Sequence, residues 1–281
     1  MVSLANNVAQ FPRQLVVDIK LDDAPHYKGS IHDDAVARAA GYKAALIPGA
    51  FVYGHVSRLA VDAWGEAWAR NGAMSARFRR PVYNGDVIVV SATALEDDGA
   101  FLRAEVSVRN EDDEEVATGW VALPHEPQRA PAIADLLVLP TPDEPQLVGI
   151  GDLDVGMRTF SRDRVLTPED YAVSRSAFAE THPLYDQRGL VHSGMLMRMA
   201  MGDTQSGLKF PSPVVLTEAE AQHYAVVHPG QRVKNSGRIV DVFERKGKHY
   251  FVSEEFTIVD DTVVAARFRR TSIYAYAEPA S

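Results

Sequence analysis

The two halves of this chain carry the same order of signals at a nearly constant offset, and that repeat constrains the fold more than any other feature. Residues 81–122 run from Pro81-Val-Tyr-Asn-Gly-Asp86 through alternating strands to acidic turns at Glu96-Asp-Asp-Gly99 and Glu111-Asp-Asp-Glu114. Residues 226–274 run from Val227-His-Pro-Gly-Gln231 through strands with turns at Arg245-Lys-Gly-Lys248 and Asp260-Asp261. Gly85 and Gly230 are 145 positions apart, as are Gly49 and Gly194, each of which opens an apolar helical stretch. A duplicated unit places its binding site between the copies, so the places where the halves diverge point to function.

The chain divides accordingly into residues 1–123, a linker at 124–150 and residues 151–281. The linker assignment rests on six prolines between 124 and 146 and the lack of any sustained period. In the first copy, Leu15 to Leu21 alternates as a strand, and Asp33 to Gly41 has helical spacing. A long apolar helix then runs from about Ile47 to Trp68, with Trp64 and Trp68 expected in the core. In the second copy, Met157-Arg-Thr-Phe160 reads as a strand. Thr167-Pro-Glu-Asp170 reads as a helix start, with Thr at the N-cap and Pro at N1. A loop over residues 179–186 leads to a second apolar helix from Met195, and four strands follow to Tyr276. One helix wrapped by a curved antiparallel sheet, twice over, fits this order as an α+β fold.

Composition narrows the function. A net charge of −9 over 281 residues leaves no basic face for a nucleic-acid backbone. The two basic runs, Arg77-Phe-Arg-Arg80 and Arg267-Phe-Arg-Arg270, are expected as solvated strand faces, with contact to an acidic cofactor tail as the alternative. The absence of cysteine excludes disulfides, thiolate metal sites and a cysteine nucleophile. No histidine spacing marks a metal site, and no Gly-rich loop marks a nucleotide cofactor, so no cofactor is expected. The first ten residues lack the pattern of a secretory signal, and the longest apolar stretch is interrupted by charges. A cytoplasmic protein that does not cross membranes is the expectation.

Several of these stretches resemble the MaoC-like hydratase/dehydratase family, the double-hotdog relatives of (R)-specific enoyl-CoA hydratase. The similarity rests on Arg80-Pro81 with Gly85-Asp86, Ala39-Ala-Gly-Tyr42 ahead of Gly49, and His182-Pro-Leu-Tyr185 ahead of Leu190-Val-His-Ser-Gly-Met195. The resemblance implies a double hotdog, in which two curved antiparallel sheets each wrap a central helix. It also implies a hydro-lyase that adds water to a 2-enoyl thioester. The family's active loop reads Asp-x-Asn-Pro-x-His, its acid and histidine flank the water, and backbone N–H groups at the helix N-terminus hold the thioester oxygen. Such chemistry needs a base, an acid and donors where the enolate charge develops.

Both copies depart from that loop. The second reads Glu180-Thr-His-Pro-Leu-Tyr185, so Glu180 replaces the acid and Tyr185 the histidine. The first reads Tyr27-Lys-Gly-Ser-Ile-His32, which keeps the histidine and loses the acid. His32 to Gly49 spans 17 positions and Tyr185 to Gly194 only 9, which shortens the segment over the start of the second helix. The expected catalytic set is Glu180 with His182 or His192, and the expected substrate-binding set is Tyr185, Ser193, Gly194 and Met195. His32 is expected to cap a helix and Asp186 to pair with Arg188 in a turn. The first copy is then mainly a wall for the acyl tail. The expected partner is an acyl-CoA or acyl-carrier thioester, and the expected assembly a homodimer. Two alternatives stay open: a non-catalytic acyl-thioester binder or partner subunit, and a hotdog enzyme with another thioester or small-molecule reaction.

Overall fold

The structure, a computed structural model, describes residues 11, 13–21, 27–39 and 41–276. Met1–Gln10, where no secretory signal is expected, lie outside the described residues. The first copy contains β1 (Arg13–Asp18), α1 (Asp34–Ala39), α2 (Gly49–Trp64), α3 (Glu66–Asn71), β2 (Ala73–Phe78), β3 (Val87–Ala92), β4 (Glu96–Asp97), β5 (Phe101–Asn110) and β6 (Glu115–Pro124). After the proline-rich segment come β7 (Gln146–Leu147), β8 (Arg164–Val165), α4 (Pro168–Ala177), α5 (Pro183–Arg188), α6 (Ser193–Gly207) and β9 (Leu208–Lys209). The chain then finishes its sheet with β10 (Val215–His223), β11 (Arg232–Arg245), β12 (Lys248–Val259) and β13 (Val263–Tyr276).

The sheet order is β1-β3-β5-β6-β2-β10-β13-β12-β11-β8, with β4 on β5. It reads the same from both ends: β1 matches β8, β3 matches β11, β5 matches β12, β6 matches β13, and β2 matches β10. The two expected sheets therefore fuse edge to edge, through the antiparallel pair that sets Ala76 opposite Ala219. The turns repeat in detail. Gly85 and Gly230 both have φ near +90°, where a side chain is strained. Gly85 N–H donates to the Ile19 carbonyl, and Gly230 N–H donates to that of Leu166. The β11–β12 turn puts Lys246 and Gly247 at positive φ, and the β12–β13 turn does the same with Asp260 and Asp261, as tight hairpins require.

Helix α2 is buried on almost every face because it lies between the sheet and α6. Trp64 and Trp68 are in the core as expected, but Gly65 at φ +57° breaks the helix between them. Thr167 forms a full capping box with Asp170 at the start of α4, also as expected. Three local expectations fail. Residues 157–160 make only an isolated bridge from Arg158 to Arg238, because the β1 counterpart is the later β8. The expected loop at 179–186 runs into α5, with Pro183 at N1. Asp186 pairs with Arg175 on α4 and Arg188 with Glu66 on α3, because α5 points their side chains toward different neighbours.

Candidate active site

The starts of the two long helices align one position off the spacing of the turns. Pro48 and His192 are the N-caps, so Gly49 corresponds to Ser193 and Ala50 to Gly194. A helix start leaves its first N–H groups without intrahelical acceptors, so what satisfies them decides what the site can bind.

The start of α6 is closed from within. His192 Nδ1 accepts from Gly194 N–H at 3.0 Å, and the His192 carbonyl accepts from Met195 N–H at 2.9 Å. An accepting Nδ1 puts the neutral ring's proton on Nε2, which faces Glu180 Oε2 at 3.6 Å, an electrostatic contact too long for a hydrogen bond. Both groups are buried, and neither of these two atoms has a hydrogen-bond partner among the described residues. Burial pushes the Glu180 carboxyl up, but His192, the His182 N–H at 2.7 Å and Arg58 together hold it below the ordinary carboxylate value.

The other expected residues surround this pair in supporting positions. His182 accepts from Leu184 N–H at 3.1 Å and caps α5. Tyr185 is buried against the His192 ring, and burial raises its phenol. Ser193 Oγ lies 2.8 Å from Tyr53 Oη and 3.0 Å from His223 Nε2, in a buried chain that joins both copies. Desolvation lowers His223 to about 4, and it lowers His55, on α2 beside the same groups, to about 4.

Phe178, the residue after α4, seals the start of α6. Its ring stacks on His192 at 4.3 Å and meets Phe51 edge-on at 5.3 Å. A Cβ at Gly54 or Gly194 would lie 2.2 or 2.5 Å from that ring, so glycine at both positions is what makes room for it. Glu180 and His192 are brought together, as expected, but the space above Gly194 is filled by protein.

The start of α2 is open. Pro48 offers no side-chain cap, and the N–H groups of Gly49 and Ala50 have no acceptor among the described residues. They border a cavity of about 570 Å³ whose walls include His32, Val52, Phe78 and Met201. The cavity thus lies between the copies, at the helix start of the copy expected to be a wall. Contrary to the expectation from its place in the sequence, His32 does not cap α1. The cap is Asp33, whose carboxylate accepts from Ala35 N–H at 2.9 Å. His32 Nδ1 instead lies 2.6 Å from the Leu46 carbonyl. A carbonyl can only accept, so Nδ1 carries a proton, and in the neutral ring the lone pair is on Nε2. Tyr27, at the position of the family's loop acid, packs edge-on against this ring at 5.6 Å.

The basic runs also split. Arg77, Arg79 and Arg80 line the cavity. Arg270 is not on a solvated face. It is 1% exposed, lies against Glu255, and donates to Thr204 Oγ1 at 3.2 Å. Strand parity explains this, since Arg270 shares the inward face of Phe268. Among the described residues no cluster suited to a metal ion occurs, and no helix is long and apolar enough to cross a membrane.

Residues 29–116 match the family model of the MaoC like domain. No curated protein matches the sequence. Among solved structures, a candidate MaoC-domain dehydratase from Chloroflexus aurantiacus is similar at 16% identity and TM-score 0.62, over 95% of this chain and 96% of the other. A double-hotdog protein from Mycobacterium tuberculosis, described as essential for survival during infection, matches at 15% identity and TM-score 0.57, over 95% and 97%. An acyl-CoA thioesterase II from Mycobacterium marinum matches at 13% identity and TM-score 0.51, over 84% and 92%. The shared element is the fold, a double hotdog.

Proposed function

We propose that this chain, a double-hotdog protein with a MaoC-like domain over residues 29–116, hydrates 2-enoyl thioesters reversibly at the start of α2. The observation that carries this reading is the uncapped N-terminus of α2 beside His32 in one cavity. The thioester oxygen sits against Gly49 and Ala50 N–H, where the helix dipole adds to their donation. Water bonds to the β-carbon while its proton passes to His32 Nε2. The π electrons move into an enolate held by the two N–H groups, and the protonated ring returns its proton to the α-carbon. One base that serves both transfers suits a site where Tyr27 stands in place of the family's acid. The bond from Nδ1 to the Leu46 carbonyl fixes the ring for both steps. The two-repeat division at residues 124–150 belongs to this proposal, with the second copy supplying part of the cavity wall.

The arrangement with Glu180 as base and His192 as partner is the competing form of the same activity, and it needs Phe178 to leave the start of α6. A second activity, thioester hydrolysis, draws on a cavity that has Glu218 as its one lining carboxylate among the described residues. In that reaction water activated by His32 is delivered to the carbonyl instead of the β-carbon. The test is the enoyl-thioester absorbance of a panel of 2-enoyl-CoAs, followed together with free thiol. Loss of the enoyl band without thiol release, blocked by His32→Gln, supports hydration. Thiol release supports hydrolysis. No change in either signal, with the protein folded, contradicts both.

A further inference from the structure

Two consecutive helices of the second copy, α5 and α6, both start on a histidine N-cap. His182 Nδ1 accepts from Leu184 N–H at 3.1 Å, and His192 Nδ1 accepts from Gly194 N–H at 3.0 Å. The usual N-caps are Ser, Thr, Asp and Asn, whose oxygens go on accepting across the neutral range. An imidazole does not. Protonation puts an N–H on Nδ1, facing the backbone N–H it had accepted and the positive end of the helix dipole.

The segment held by these caps is lightly anchored. Of the α4 residues whose burial is described, none is buried, and Val173 is 47% exposed. Between Thr167 and Gly189 the buried side chains among the described residues are Phe178, Glu180 and Tyr185. Ala179, between the first two, is a non-glycine residue strained at φ +46°, and Gly189 turns the chain at φ +58°. Glu180 Oε2, His192 Nε2 and His55 Nδ1 are enclosed with no hydrogen-bond partner among the described residues, and opening would give all three to water.

The His192 ring couples its cap to the plug. It stacks on Phe178 at 4.3 Å and lies against Tyr185 at 5.3 Å, so turning Nδ1 away from Gly194 N–H displaces the Phe178 ring. Glu180 Oε2, 3.6 Å from Nε2, compensates a charged ring there. Arg58 on α2 carries a positive charge, and His55 on α2 and His223 on β10 add more when protonated. His182 faces Glu180 and, on α2, Asp62.

We propose that residues 168–189 form an acid-released lid over the start of α6, with His182 and His192 as its latches and Phe178 as its plug. With both rings neutral the lid is shut. With both charged the two caps are lost, Phe178 withdraws, and Gly194 N–H faces solvent beside Glu180. The device does not rest on the reaction proposed at α2.

Amide hydrogen exchange of the full chain at about pH 8 and about pH 5.5, corrected for the intrinsic pH dependence of exchange, reads the lid directly, because imidazoles as a class change charge in this range. Peptides over residues 168–195 should lose about tenfold or more in protection at the lower pH. His192→Asn, whose amide oxygen accepts from Gly194 N–H at either pH, should remove most of that loss, and His182→Asn a smaller part. Neither variant should alter how β5 and β6 respond. In the parent chain the Gly194 amide signal and the His192 ring signals should shift with one midpoint, a titration that tests the lid even if a variant fails to fold. Equal protection of residues 168–195 at both pH values would overturn the lid, as would a loss that persists undiminished in folded His192→Asn. A His192 ring that stays neutral to about pH 5.5, or one that charges while Gly194 stays fixed, would overturn it too.

Discussion

The N-termini of α2 and α6 share one backbone plan and end as opposites. At α2 a proline N-cap, which has no side chain able to accept, leaves two N–H groups facing a cavity. At α6 a histidine N-cap takes up Gly194 N–H, and Phe178 fills the remaining space. A duplicated site can therefore lose its opening while gaining polar residues. Glu180 and His192 look catalytic by type, yet they are enclosed. His32 has Tyr27 in its loop where the family's acid would stand, yet it faces the cavity with Nδ1 held against the Leu46 carbonyl.

The contrast continues along the helices. Asp203 and Thr204 of α6 occupy the positions that Leu59 and Ala60 hold on α2, all four of them buried. Asp203 accepts from Asn235 Nδ2 at 2.7 Å and pairs with Arg164, while Thr204 joins the Glu255–Arg270 pair. The first copy packs around an apolar helix and the second around a buried polar network.

The largest effect should come from the pair of substitutions that sets the two helix starts against each other. His32→Gln should lower kcat on a 2-enoyl-CoA by about 10²- to 10⁴-fold, as for loss of a general base. Glu180→Gln should leave kcat within a fewfold of the parent once folded protein is counted. The reverse pattern would move the chemistry to α6. Next in size is the buried ion pair. Arg270→Met leaves Glu255 enclosed without its cation and should cost about 3–5 kcal/mol in urea unfolding. A loss below about 1 kcal/mol would mean that the second core does not depend on its network.

Smaller again is the fit of the plug. Gly54→Ala and Gly194→Ala each drive a methyl into the Phe178 ring and should cost about 1–3 kcal/mol, with unchanged turnover per folded molecule. A rise in turnover would show that moving Phe178 opens a working site. The most gradual effect is in acid. His55 and His223 stay neutral in the fold down to about pH 4 but protonate near the ordinary histidine value when unfolded. The unfolded chain then binds more protons between those values. Stability is therefore full above about pH 6.5 and falls as the pH drops toward 4, by up to about 1.4 kcal/mol per pH unit for each histidine. His223→Gln should flatten the slope of stability against pH, and an unchanged slope would remove it from the buried groups that titrate.

Features with a local cause were legible in the sequence. The Thr167 cap, the glycines at 85 and 230 and the hairpin turns are each set by a few adjacent residues, and the repeat exposed the fold. Arg270 was within reach too, because period-two parity places it with Phe268 on the inward face. The plug was not legible. Phe178 sits eleven residues beyond the Thr167 cap and is an ordinary aromatic until α2 and α6 present glycines to it from 124 positions upstream and 16 downstream. The fixed tautomer of His32 likewise depends on the Leu46 carbonyl, which only the folded loop brings near.

The most direct test of where the ligand binds is the shift of backbone amide signals in ¹⁵N-labelled protein on titration with a non-reactive thioether analogue of an acyl-CoA. Saturable shifts are expected at Gly49 and Ala50 and none at Ser193 and Gly194. Shifts confined to Ser193 and Gly194 would contradict a site at α2 and place the working site behind Phe178.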